Sequence, residues 1–182
     1  MRRVVVIGPA GAGKSRLATA LSEATGIDVI HLDALYWRPG WVATPQAEWE
    51  AFQRGELQRN DEWIVEGLHE TTVHLWLDAA DTVVLFDISP LASIWRVTRR
   101  RLVRTDRGPD IPEGCEPAPF HRAAAKFLLY IWDYRRRTRA ELFAELEKPR
   151  PGRRVVVLRS EQDVQAFLGT LESPADAASP VA

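Results

Sequence analysis

The chain has 182 residues, 46% hydrophobic and 27% charged, with a formal net charge of -1. This is the profile of one ordinary globular domain, and it argues against a dedicated nucleic-acid or membrane binder. The single cysteine, Cys115, forms no internal disulfide, no His/Cys grouping has zinc spacing, and the apolar runs are too short for a signal peptide or a membrane span, so a reducing cytoplasm is the expected compartment.

The β-branched run Val4 to Ile7, bounded by glycine and proline, predicts a strand buried on both faces. A helix follows from Lys14 to about Ala24, with Leu17, Leu21 and Ala24 on one stripe and Thr25-Gly26 closing it. Val29 to Leu32 reads as a second strand with Asp33 at its carboxyl end. Thr44-Pro45 predicts the N-cap and first turn of a helix to about Gln58, with Trp49 and Phe52 inward. Trp63 to Glu66 and Thr82 to Phe86 are the third and fourth strands, with a short helix near Val73 to Leu77 between them. Pro90 opens a helix through Arg104. Thr105 to Pro119, rich in proline and glycine, predicts a mobile loop. Phe120 to Glu147 reads as one long helix with Phe127, Ile131, Tyr134, Thr138 and Leu142 on one side. Val155 to Leu158 is a fifth strand, Glu161 to Leu171 a last helix, and 173–182 an expected disordered tail. The alternation predicts a three-layer α/β domain over residues 1–172, with a five-stranded parallel sheet and its ligands at the carboxyl ends of the strands.

Gly8-Pro9-Ala10-Gly11-Ala12-Gly13-Lys14-Ser15 is a complete G-x-x-x-x-G-K-S pattern between the first strand and the first helix, with Arg16 following in the helix. Glycines let successive N–H groups turn inward around a phosphate, and the helix N-terminus adds partial positive charge. Lys14 is positioned to bridge the outer phosphates, and Ser15 carries the hydroxyl expected on Mg²⁺. Residues 8 to 16 are thus the expected ATP-binding residues.

Guanine-reading N-K-x-D and transporter L-S-G-G-Q motifs are missing. Ile64-Val65-Glu66-Gly67, the segment Val84 to Pro90 with its arginine-ended helix, and Asp133 to Arg139 resemble the adenylate kinase group of nucleoside and small-molecule kinases, with Thr105 to Pro119 as its lid. More closely, His31 to Trp41 (H-L-D-A-L-Y-W-R-P-G-W), Glu66-Gly67, Glu113-Gly114-Cys115 and Val156 to Ser160 resemble the bacterial adenylate-kinase-related topology modulation proteins, the FlaR-like group, over about residues 3 to 168. This chain has Gly67-Leu68-His69 where that group has Gly-Asn-Tyr. The resemblance implies that Glu66 supports Mg²⁺ through water, that Asp33 faces the acceptor, and that Arg159 and Ser160 lie near the adenine.

Arg96, Arg100 and Arg104 recur every four residues on one helix face, with Arg99 beside them, and Arg135 and Arg139 form a second pair. Closing on a phosphoryl group, such faces would neutralise transition-state charge; otherwise they are solvated basic surface or a local nucleic-acid patch. Lys14, Asp33, Arg100, Arg104, Arg135 and Arg139 are therefore the expected catalytic set, Ser15 and Glu66 the metal residues, and a small-molecule acceptor the expected partner. The alternative is a nucleotide-dependent regulatory or DNA-topology-associated protein that binds ATP without an acceptor. Tyr36, Trp37 and Trp41 either stack a base or form local core. Trp49, Trp63, Trp76 and Trp95 are expected to pack, His31, His69, His74 and His121 to be structural, and Cys115 to be incidental.

Overall fold

The computed structural model describes residues 1–67, 69–103, 114–115, 122–134 and 136–172. Arg104, Arg135, the tail 173–182 and all of the predicted lid except 114–115 lie outside the described residues.

The elements run β1 (Arg3–Ile7), α1 (Lys14–Thr25), β2 (Val29–His31), α2 (Leu32–Tyr36), β3 (Trp37–Arg38), β4 (Val42–Ala43), α3 (Gln46–Arg59) and β5 (Trp63–Glu66). They continue as α4 (Val73–Ala79), β6 (Thr82–Phe86), α5 (Pro90–Val103), α6 (Arg122–Tyr134), α7 (Thr138–Leu146), β7 (Arg154–Leu158) and α8 (Glu161–Glu172). Five strands form a sheet in the order β2-β5-β1-β6-β7, every neighbouring pair parallel, with Val5 of β1 in register with Val65 and Val83. β3 and β4 form a separate antiparallel hairpin.

Strand alternation divides the core into two layers of side chains. Val4, Val6, Ile64, Val84 and Leu158 face one way and are covered by Leu17, Ala18 and Leu21 of α1 and Val164 and Phe167 of α8. Val5, Ile7, Trp63, Val65, Val83 and Leu85 face the other way, under Trp49 of α3, Trp76 and Leu77 of α4 and Leu142 and Leu146 of α7. Residues Val4 to Ile7 are at most 1% exposed, as a central strand covered on both faces requires.

The five predicted strands, the doubly covered parallel sheet and the Gly26 stop of α1 all appear. Gly26 is left-handed and donates its N–H to Ser22 O at 2.8 Å. Several details differ. On α1 the inward stripe is Leu17, Ala18 and Leu21, with Ala24 exposed. Leu32 leaves the second strand to start α2, so Asp33 lies in the first turn of a short helix. Thr44 does not cap α3: its hydroxyl donates to Tyr36 O at 2.5 Å, closing the hairpin instead, and α3 starts after Pro45. The long helix from 120 is two helices. The N–H groups of Arg136 and Arg137 both turn to Asp133 O, at 2.9 and 3.1 Å, and the Thr138 hydroxyl donates to Glu70, yet Ile131, Tyr134, Thr138 and Leu142 still form one buried stripe. Trp95, expected to pack, is 61% exposed, with the Arg99 guanidinium 5.5 Å over its ring. Cys115 is not incidental loop: it is buried and its thiol donates to Arg38 O at 3.3 Å, while Gly40 N–H donates to Gly114 O.

Candidate functional site

Because the five strands are parallel, the segments after β1, β2, β5, β6 and β7 emerge at one edge of the sheet, and the candidate residues gather there. β1 ends at Ile7, and the chain turns through Gly8-Pro9-Ala10-Gly11-Ala12-Gly13 into α1. At Gly8 and Gly11, with φ of +146° and +76°, both torsion and space demand glycine. A Cβ on Gly8 would lie 2.7 Å from Phe86 Cβ, and one on Gly11 would lie 2.7 Å from both Ser93 O and Val97 Cγ2. The loop is thus pressed between the end of β6 and α5. Gly13 precedes α1 without a side-chain cap, so the first amides of α1, with the positive end of its dipole, are left for an anion.

Lys14 opens α1, and its Nζ donates back to Pro9 O at 3.3 Å, which holds the ammonium over the loop. The Ser15 hydroxyl donates to Glu66 Oε1 at 3.1 Å, and His31 Nδ1 lies 3.0 Å from the same oxygen. Glu66 is 1% exposed; a carboxylate so deep persists because such partners surround it. Adjacent hydroxyl and carboxylate oxygens are hard donors that fit Mg²⁺. Among the described residues no group of three or more His, Cys, Asp or Glu could hold a metal alone.

On the α8 side of the loop, Arg96 Nη1 donates to Ala12 O at 3.1 Å and Arg16 pairs with Glu161. These residues, with Gly11, Gly13, Ile88 and Ser160, line a cavity of about 200 Å³. On the opposite side stands Asp33, whose side chain is 42% exposed and whose Oδ1 lies 3.5 Å from His69 Nε2. Burial pushes its carboxyl up, but the nearby His69 ring and the charges of Lys14 and His31 outweigh this, and Asp33 titrates below the ordinary aspartate value. On α6, desolvation together with the Glu70 and Asp33 carboxylates pushes the Tyr130 phenol up to about 12, so it stays a neutral hydroxyl. Tyr36, Trp37 and Trp41 form a run of edge contacts, with ring centroids 4.9 Å apart from Tyr36 to Trp37 and 5.9 Å from Trp37 to Trp41. Trp41 holds a positive φ of 62° at the hairpin tip.

Of the predicted arginines, Arg104 and Arg135 lie outside the described residues. Arg96 reaches the loop, whereas Arg100 is exposed on α5. Arg139 forms a two-pronged bond to Asp87 at 2.6 and 2.8 Å, and Arg159 Nε lies 3.6 Å from the same carboxylate. Residues read from the sequence as structural or not singled out, namely His31, His69 and Asp87, thus join the site. Their signal was positional: each lies at or just beyond the carboxyl end of a strand.

No family model matches the chain, and the search of curated proteins found no match. Solved structures do. A gluconokinase from Sinorhizobium meliloti is 20% identical over 93% of this chain and 93% of its own, with a TM-score of 0.50. A shikimate kinase from Bacteroides thetaiotaomicron is 14% identical over 94% of this chain and 96% of its own, with a TM-score of 0.53. The deoxyadenosine kinase from M. mycoides with bound dATP is 12% identical over 95% of this chain and 100% of its own, with a TM-score of 0.54. The chain has the α/β fold of these P-loop kinases.

Proposed function

We propose that the protein is a cytoplasmic, single-domain phosphotransferase that moves the γ-phosphoryl group of Mg-ATP to a hydroxyl or phosphate oxygen of a small acceptor. The observation that carries this reading is the pairing of two unlike parts on one sheet edge. A phosphate cradle with Lys14 and the Ser15–Glu66 pair stands on one side, and a carboxylate under the charge of Lys14, Asp33, stands on the other. The fold shared with gluconate, shikimate and deoxyadenosine kinases supports an acceptor that is a hydroxylated metabolite or a nucleoside compound. The topology-modulation resemblance rests on the His31–Trp41 and Glu66–Gly67 segments.

In this reading, residues 8 to 16 hold the triphosphate through backbone N–H groups and Lys14, while Ser15 and Glu66 are the residues that would hold Mg²⁺. Bound there, the ion would neutralise charge on the outer phosphates. The cavity beside Arg96 and Ser160 takes the base. Asp33 orients the acceptor and takes the proton from its hydroxyl as that oxygen bonds to the γ-phosphorus and the bond to the β-phosphate oxygen breaks in line, releasing ADP. Arg139 and the exposed Arg100, with Arg104 and Arg135, are the proposed donors to the transferring oxygens. The aromatic run from Tyr36 to Trp41 lines the acceptor side.

The test is ATP consumption with Mg²⁺, alone and against a panel of nucleosides, nucleoside monophosphates and hydroxylated metabolites. One compound should raise turnover in the wild type and not in Lys14→Ala. Asp33→Asn should lower kcat by ~100-fold or more while ATP still binds. Nucleotide-dependent behaviour untouched by Asp33→Asn, with no acceptor stimulating turnover, would favour the regulatory alternative.

A further inference from the structure

His69 lies in the short link between β5 and α4, and its placement is fixed from three sides. Its carbonyl oxygen accepts the N–H groups of Thr72 and Val73 at 3.0 and 2.8 Å, anchoring its backbone to the start of α4. Its ring is held in an aromatic slot, with centroids 4.1 Å from Tyr36 and 5.2 Å from Trp49, and Trp49 is itself only 1% exposed. The polar atom that Nε2 faces is Asp33 Oδ1, 3.5 Å away. That nitrogen is buried and has no full hydrogen bond among the described residues. An incompletely satisfied buried polar atom is costly, and proteins keep one where it serves a site.

We infer, resting on the phosphotransferase reading above, that His69 is a positioning residue for Asp33: its Nε2–H, 3.5 Å from Oδ1, steadies that oxygen electrostatically and leaves Oδ2 for the acceptor and its proton. A carboxylate 42% exposed to water turns easily about its terminal torsion. A donor fixed on one oxygen removes that freedom at the reacting group. The surroundings agree: Lys14 and His31 add positive charge near Asp33. The slot that holds the ring, formed by α2 and α3, therefore ties the geometry of the acceptor carboxylate to the packing of the sheet.

Two substitutions separate positioning from packing. His69→Phe keeps a ring against Tyr36 and Trp49 but has no donor; His69→Gln keeps an N–H at a similar reach. With the acceptor found in the panel, His69→Phe should lower kcat by about 10- to 100-fold, as a misplacement of about 1 Å does. The melting temperature and the KM for ATP should stay near wild type. His69→Gln should recover most of the loss, and His69→Phe should add little to Asp33→Asn. Independently of any acceptor, ring ¹⁵N shifts above neutral pH should show the His69 proton on Nε2 in the wild type and a changed tautomer balance in Asp33→Asn. A proton on Nδ1, or shifts indifferent to Asp33→Asn, overturns the pairing. Pairing present with acceptor-dependent turnover indifferent to His69→Phe overturns the positioning role alone. Pairing present with no acceptor-dependent turnover overturns the phosphotransferase reading and leaves the pair as a structural contact.

Discussion

Gly11 and Gly26 show how one residue type answers different demands. Both are left-handed, with φ of +76° and +74°, but a Cβ on Gly26 would meet nothing within 4 Å, whereas one on Gly11 would strike Ser93 O and Val97. Gly26→Ala should therefore cost only the torsional ~1 kcal/mol. Gly11→Ala should cost more, ~2–4 kcal/mol, because α5 must also shift; urea denaturation of the two variants side by side checks the order. Gln53 makes a second residue-scale case. Fully buried, it accepts the Trp76 indole N–H at 2.7 Å and donates to the Thr72 hydroxyl at 2.9 Å. Gln53→Leu fits the apolar surroundings yet strands that indole, so a loss of ~1–3 kcal/mol is expected by the same measurement.

At the scale of elements, Asp81 staples the amino ends of three strands. Its Oδ2 accepts the N–H groups of Arg2 and Arg3 at 2.8 and 2.9 Å, and its main chain bonds to Arg3 and Arg154. Burial pushes its carboxyl up, but the Thr82 hydroxyl, the two amides and the terminal amine bring it below the ordinary value. A depressed folded pKa means the stabilisation is complete above the unfolded value of ~3.9 and is lost as the pH falls through the lower folded value. Asp81→Asn should thus destabilise at neutral pH by ~1–2 kcal/mol and show a shallower loss of stability below about pH 4, followed by thermal melts across pH. The break between α6 and α7 belongs to this scale too. A periodic stripe from Ile131 to Leu142 is compatible with one helix or two, and among the described residues the turn onto Asp133 and the Glu70 contact of Thr138 mark the break.

For the whole molecule, Asp87 is the point where distant parts are held together. It follows β6, accepts two bonds from Arg139 of α7, lies near Arg159 after β7, and sits one residue past Phe86, which packs on Gly8. Asp87 is 11% exposed on its side chain and Arg139 32%, so the charge-assisted pair is partly shielded from water and Asp87→Ala should cost ~1–3 kcal/mol in denaturant unfolding. Ligand linkage reads the same assembly from the other side. Mg-ATP at ~100 times its Kd should add ~2.7 kcal/mol to the stability of the wild type, seen as a raised melting temperature, and much less to Lys14→Ala.

Much of this was legible in the sequence because it depends on rules that act within a few residues. β-branched runs made the five strands, Gly26 stopped α1, and the glycines before Lys14 and Ser15 marked the tight loop between a strand and a helix. What tertiary structure alone decided are the pairings across crossovers: Arg139 with Asp87, 52 residues apart; His31 with Glu66, 35 apart; His69 with Asp33; and the exposure of Trp95. Periodicity states which face of an element is apolar, but not which neighbour that face meets. The order β2-β5-β1-β6-β7 brings the carboxyl ends of strands distant in the chain side by side. That order is set by how whole helices cover the two faces of the sheet, an energy summed over the molecule and written in no short segment of it.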